Sequence, residues 1–300
     1  MVSDGSDVGH AVTYDVVHTT LYDYTESVSV SHHVGRLSPR ALPHQVCVSH
    51  QLDIEPAPAV TTRHVDYFGN VTTFFAMQGT HKRLTVRARS QVAVRAAAVP
   101  CAADTPPWEQ VSDRGALPLE AIECTFDAVS ARASADLAAY TRQSFLPGRP
   151  LLDAVIDLTR RVHADFTFDP KATTITTPLM EVFRSRRGVC QDFARVEIAC
   201  LRSLGVPAHY VSGYLETVPP PGRPRLLGAD ASHAWLAVYC PGSGWIDVDP
   251  TNNVLPSNTH VTLAWGRDYG DVSPIRGVIL GGGEHSLRVQ VDVIRKNSQT

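Results

Sequence analysis

Three stretches in the first hundred residues alternate strictly between two faces. Val12, Tyr14, Val16 and His18 share one side, as do Val46, Val48, His50, Leu52 and Ile54, and then Leu84, Val86, Ala88, Ser90, Val92 and Val94. A period of two puts each set on a single face of a half-buried antiparallel strand. Turn signals separate them: Ser38-Pro39, Glu55-Pro56-Ala57-Pro58, and Phe68-Gly69-Asn70 ahead of the β-rich Val71-Thr72-Thr73-Phe74-Phe75. Residues 1–100 therefore read as an antiparallel β-sandwich-like domain. Residues 101–118 are rich in Pro and small polar side chains and read as a linker or long crossing loop.

From residue 119 the period changes. Leu151, Val155, Leu158, Val162 and Phe166 recur at steps of three and four, which gives one apolar helix face, with Arg160 and Arg161 opposite. A second helix is expected from Cys190, with Phe193, Val196, Cys200, Leu201 and Leu204 inward and Gly205-Val206-Pro207 as its stop. Short β-rich runs follow at residues 209–214, 234–239 and 245–248, and Leu287, Val289, Val291 and Val293 alternate in a last strand. Helices followed by strands make residues 119–300 an α+β unit.

Composition narrows the functional classes. Apolar residues are 43% and charged residues 19% of the 300, the balance of a globular chain. A net charge of −3 argues against nucleic acid as partner, because phosphate recognition needs clustered cations. No run approaches the roughly 18 apolar residues of a membrane helix. The first residues, MVSDGSDVGH, are acidic where an export signal is basic, so a cytoplasmic location and no membrane partner are expected. The six cysteines lie far apart, with no C-x-x-C pair and no D-x-D-x-D-G loop, so neither metal nor cofactor is expected.

One cysteine stands apart. In Arg187-Gly188-Val189-Cys190-Gln191-Asp192-Phe193 a glycine permits a sharp turn and the helix begins at the thiol, at the positive end of its dipole. That position favours the nucleophilic thiolate. A small buried cysteine would fit the same segment equally well. Ser232-His233-Ala234-Trp235 opens a later strand with a residue able to take and return a proton near neutrality. Gly244-Trp245-Ile246-Asp247-Val248-Asp249-Pro250 ends the next strand with two carboxylates on one face, either able to orient an imidazole. Each feature alone is an ordinary structural one. Together, in the order Cys, His, Asp on helix, strand and strand, they follow the plan of papain-like enzymes.

The chain also resembles a known family. Gly188-Val189-Cys190-Gln191-Asp192-Phe193-Ala194, Leu201-Arg202-Ser203-Leu204-Gly205-Val206-Pro207-Ala208, Val211-Ser212-Gly213-Tyr214, His233-Ala234-Trp235 and Trp245-x-x-x-Asp249-Pro250-Thr251 are similar to motifs of the bacterial transglutaminase-like superfamily, usually described as cysteine proteases. Tyr14-x-x-x-His18-x-Thr20-x-Tyr22-x-Tyr24, Arg36-Leu37-Ser38-Pro39-Arg40 and Asp66-Tyr67-Phe68-Gly69-Asn70 resemble the β domain that precedes such cores, and residues 266–274 resemble their tail.

The resemblance implies a papain/transglutaminase-like core. Cys190 would be nucleophile, His233 base and acid, and Asp249 rather than Asp247 the orienter. Animal transglutaminases hold the oxyanion with an upstream tryptophan, whereas here no Trp lies between Trp108 and Trp235. That leaves the backbone N–H of Cys190, with Gln191 a second candidate. Asp192 is expected chiefly to stabilise the helix start, and Arg267 and Asp268 to stiffen the tail loop by pairing. The expected activity is attack on an amide of a peptide or protein through a thioester. Hydrolysis comes first, transfer to an amine second, and a peptide-binding protein without catalysis third.

Overall fold

The computed structural model describes residues 11–113, 115, 117–126, 131–217 and 232–296, without the side chains of residues 131–133. The N-terminal segment read above for an export signal lies outside the described residues up to position 10. No helix among the described residues is long and apolar enough to cross a membrane.

The first sheet is built on one long strand, β1 (Val12–Gly35). β2 (Gln45–Glu55), β3 (Val60–Val65), β4 (Val71–Met77) and β5 (His81–Val94) follow it. β5 pairs with residues 12–23 of β1 and β4 with residues 31–35, so β4 and β5 run end to end along a single flank. β2 and β3 lie outside them in the same way. The other flank is occupied by the last two strands of the chain, β12 (Ile275–Gly281) and β13 (His285–Arg295). All the pairings are antiparallel, and every flank breaks near the level of residues 24–28 of β1. Tyr24, Val28, Phe75, Met77, Leu84, Val86 and Ala88, drawn from both sides of that break, share one buried cluster. The expected sandwich is thus a single sheet bent over its own core.

The expected division placed residues 275–296 with the second unit, but their strands pair with β1. Val291 and Val293 are buried beside Tyr14, Val16, Val92 and Val94, on the half of the sheet that packs against the rest of the molecule. Leu287 and Val289, from the same alternating run, are exposed near the sheet's edge, as are Val46 and Val48 on β2.

Residues 101–118, expected as a linker, pack instead. They contain α1 (Trp108–Ser112), whose Val111 is fully buried, and the Thr105 hydroxyl accepts from the backbone of Leu152. Next come α2 (Leu119–Ile122), α3 (Ala131–Thr141) and α4 (Leu151–Asp165). The five apolar residues predicted on α4's face, including Phe166 at its end, are all buried. Arg161 does not point away as expected. It donates to Tyr140 O and lies over that ring at 4.2 Å.

Three short elements then lead to the central helix: β6 (Thr167–Phe168), α5 (Leu179–Ser185) and β7 (Arg187–Gly188). The helix is α6 (Cys190–Ser203), closed by Gly205 at φ +78°. It packs on a second antiparallel sheet made of β8 (Ala208–Leu215), β9 (Ser232–Cys240), β10 (Gly244–Val248) and β11 (His260–Gly266), in the order β10-β9-β8-β11. A short α7 (Tyr269–Val272) connects β11 to β12. Tyr210, Leu236, Val238 and Val248 join the core shared with α6. Val211, Trp235 and Ala237 form a separate cluster with Trp245 and Trp265.

The two sheets are spliced along β11. Buried Gln45 donates to Thr262 O (2.8 Å) and accepts from Thr262 N (2.8 Å). Buried Asn70 does the same to Trp265, at 2.8 and 3.0 Å. Arg40 lies 3.5 Å over the Trp265 ring. An edge strand exposes a row of unpaired backbone groups, and here two side-chain amides take the place of a neighbouring strand.

Candidate active site

The nucleophile candidate is delivered by a tight local device. β6 and β7 pair in parallel, and Asp169 N donates to Gly188 O (2.8 Å), which fixes the chain just before Cys190. The Asp192 carboxylate folds back to accept from Val189 N (3.0 Å) and from the Thr173 hydroxyl (2.6 Å). A Cβ at position 188 would sit 2.6 Å from that carboxylate, so Gly188 serves close approach rather than an unusual backbone angle. Asp192, buried, is the helix-start stabiliser the sequence suggests. The N–H groups of Asp192 and Phe193 return to Val189 O. Those of Cys190 and Gln191 have no partner among the described residues and remain at the positive end of α6.

His233 opens β9 and reaches two partners. Its Nε2 donates to Asp249 Oδ2 at 2.7 Å, and the Cys190 side chain lies near enough to the ring to favour its charged form. With Nε2 committed to the carboxylate, Nδ1 is the nitrogen left for the thiol. Burial disfavours the charged ring. The Asp249 hydrogen bond, the Cys190 contact and the negative charge of both outweigh it and raise the pKa to about 9.

Asp249 is fully buried and saturated with donors. Its Oδ1 accepts from the backbone N–H of Thr251 (2.9 Å) and Asn252 (3.2 Å), the turn that Pro250 begins. Its Oδ2 accepts from His233, from Asn252 Nδ2 (2.7 Å) and from His260 Nε2 (3.2 Å). Burial alone would raise its pKa. The two imidazole hydrogen bonds, the His233 charge and the Asn252 amide instead hold it well below the usual carboxylate range.

Asp247 projects to the same side yet serves another residue. It accepts from the Trp235 indole at 3.1 Å, and burial raises its pKa to about 6. Trp235 is fully buried and stacks edge-on against His260 at 5.2 Å. A Cβ on Gly213 would strike the Trp235 ring at 2.4 Å, so the indole needs that glycine. His260 was not legible as part of this site. Its ring sits on β11, which the sequence pattern did not mark, and joins the cluster only through sheet pairing.

His233, Asp249 and His260 hold one donor atom each within 4.8 Å, a geometry compatible with a metal ion. Every one of those atoms already meets a hydrogen-bond partner within the cluster. Gln191, the residue after Cys190, lines a groove of about 370 Å³ with Ile175, Leu179, Arg195, Tyr210 and Tyr269. Arg267 and Asp268 line it too and do not pair with each other. Arg267 pairs with Asp271 (3.1 Å), and Asp268 caps α7 through Gly270 N (2.8 Å).

Glu197, two turns beyond Cys190, is fully buried in the core and accepts from the Thr159 hydroxyl at 2.6 Å. Burial raises its pKa to about 8 against the Thr159 hydrogen bond, with the Asp249 charge adding to the rise. A buried acid with a raised pKa holds a proton that the unfolded chain releases near pH 4.5. Its stabilising contribution is therefore complete below that pH and is lost as pH climbs towards 8, by up to about 1.4 kcal/mol per unit. Denaturant titrations at pH 5 and pH 8 should show Glu197→Gln losing markedly less stability across that window than the parent. An equal loss in both would mean that Glu197 titrates normally.

Comparison with known proteins agrees with this architecture. Residues 14–93 match the bacterial transglutaminase-like N-terminal region, and residues 138–250 match the transglutaminase-like superfamily core. An uncharacterized protein of Mycobacterium tuberculosis is 41% identical over 289 residues, covering 94% of this chain and 92% of its own. A protein-glutamine gamma-glutamyltransferase of Pseudomonas aeruginosa is 31% identical over 128 residues, 36% of this chain and 19% of that protein. Among solved structures, one named a putative cysteine protease, from Cytophaga hutchinsonii, superposes with a TM-score of 0.74 at 18% identity, covering 97% of this chain and 93% of that one. The chain belongs to the bacterial transglutaminase-like family, with the N-terminal region and the core of that family in one polypeptide.

Proposed function

We propose that this protein is a thiol-dependent enzyme that breaks amide bonds in peptides or proteins through a thioester on Cys190. One observation carries the reading: the Cys190 thiol, at a helix N-terminus, meets an imidazole whose far nitrogen is held by a buried, saturated carboxylate. In this scheme the sulfur attacks the carbonyl carbon and the C=O pair moves onto oxygen, facing the free N–H of Cys190. Collapse expels the amine, which takes its proton from His233. Water, deprotonated by the same ring, then attacks the thioester, releases the acid and restores the thiol.

Transfer to an amine in place of water is the second reading. The similarity to a protein-glutamine gamma-glutamyltransferase over the core favours it. The two readings share every step up to the thioester. Incubation with a peptide mixture and hydroxylamine, followed by mass spectrometry, distinguishes them: free acids mean hydrolysis, while hydroxamates and cross-linked amines mean transfer. No acyl adduct at Cys190 under any condition would remove both.

Reactivity should single out the same thiol. Cys124 and Cys200 are buried, and burial lifts their pKa values to about 11 and about 12. Cys101 is exposed and precedes only a single 3-10 turn, Ala102–Asp104, in place of a long helix. Iodoacetamide at pH 6.5 is expected to label Cys190 at least about tenfold faster than Cys101. Similar rates at both would contradict an activated nucleophile.

Turnover should also have an alkaline limit. His233 must hold a proton to release the amine, and its pKa is raised to about 9. Activity is then present through neutral pH and falls as pH rises through about 9. A rate still rising at pH 10 would show that His233 is not the acid.

A further inference from the structure

We propose that the Tyr210 side-chain hydroxyl is the second oxyanion donor, working beside the backbone N–H of Cys190. The inference rests on the nucleophile reading above and names a group that sequence reasoning left unassigned.

Tyr210 stands in the middle of β8, opposite Leu236 of β9 and Gly266 of β11, on the face covered by α6. Its residue exposure is 1%, and its hydroxyl makes no hydrogen bond among the described residues. It is not one of the fully buried unpaired polar atoms, so the small exposure that Tyr210 retains includes its hydroxyl. The space it meets is the groove that Tyr210 lines together with Gln191, the residue after Cys190.

The electrostatics of the phenol agrees with that position. Burial raises its pKa well above 10, and the negative charge at Cys190 is the next largest influence, ahead of Tyr269, Arg195 and Asp192. The hydroxyl therefore stays protonated and able to donate at any working pH. Its ring is held against Tyr269, with centroids 6.2 Å apart and planes at 78°. A donor fixed before the reaction needs no reorganisation when charge develops, and this is what makes an oxyanion hole effective. Gln191, the earlier candidate, is half-exposed and its side chain makes no hydrogen bond among the described residues, so nothing fixes it.

The test separates acylation from alkylation at the same sulfur. p-Nitrophenyl acetate transfers its acetyl group to Sγ through a tetrahedral oxyanion and releases p-nitrophenolate. Iodoacetamide alkylates Sγ with loss of iodide and forms no oxyanion. In Tyr210→Phe, Cys190 acylation is expected to slow about a hundredfold while alkylation stays within about twofold, at an unchanged thermal midpoint. Acylation as fast as in the parent would overturn the proposal, and so would a parallel fall in both reactions. Loss in Gln191→Ala but not in Tyr210→Phe would move the role to Gln191. If the parent's Cys190 is no more reactive to iodoacetamide than Cys101, the nucleophile reading itself fails and this inference falls with it.

Discussion

Asp249→Asn is expected to lower turnover by about a thousandfold or more, while Asp247→Asn stays within about tenfold of the parent. The two carboxylates are two residues apart on one side of the same strand end, so their difference is one of partners. Asp249 Oδ2 takes the His233 Nε2 proton at 2.7 Å. Its Oδ1 is locked by two backbone N–H groups, so the carboxylate cannot rotate away. An amide at 249 could present its NH₂ to the ring and reverse the tautomer, leaving Nδ1 protonated and unable to accept from the thiol. Among the described residues the Asp247 carboxylate accepts only from the Trp235 indole, and Asn would keep an acceptor there. Measured rates with the order reversed would redraw the site around Asp247. Near-silence in both would remove this strand from the mechanism.

How much of this could be read in advance depends on periodicity. α4 and α6 were legible because each turns one apolar stripe to the core, and β5 because every second residue from Leu84 to Val94 is buried. β11 was not. In His260-Val261-Thr262-Leu263-Ala264 all five residues are buried, so no alternation marks the strand. With it went His260, the third side-chain donor to Asp249 Oδ2. Local chemistry misled in smaller ways. The Pro-rich stretch after residue 100 suggested a linker or a long crossing loop, but Val111 is buried and Thr105 ties the stretch to α4. Arg267 and Asp268, adjacent in sequence, find partners at Asp271 and Gly270. The Cys190, His233 and Asp249 order was readable because those residues end or begin elements, where short motifs fix the backbone. Their companions Asn252, His260 and Tyr210 depend on tertiary packing, which spacing does not encode.

A chain beginning at Leu119 should fail to fold, although the change of period near that residue suggests an independent unit. The truncation would leave β12 and β13 without β1, their sole strand partner among the described residues. It would also strip the β11 edge of Gln45 and Asn70, whose amides hold Thr262 and Trp265 at both N–H and C=O. Removing the Asn70 amide unpairs both the N–H and the C=O of Trp265, whereas removing the Gln45 amide unpairs only the N–H of Thr262, whose C=O still accepts from Arg40 N, at about 1–3 kcal/mol for each group lost. Asn70→Ala should therefore destabilise the full chain by several kcal/mol and Gln45→Ala by about 1–3 kcal/mol, against a typical total of about 5–15 kcal/mol. Because β11 carries His260, both substitutions should also slow turnover at temperatures where the protein remains folded. Cooperative thermal unfolding of the 119–300 fragment, with rapid labelling of its Cys190, would show that the first sheet is dispensable to the core. Aggregation of that fragment together with intact folding of both full-length variants would assign the dependence to β12 and β13 alone.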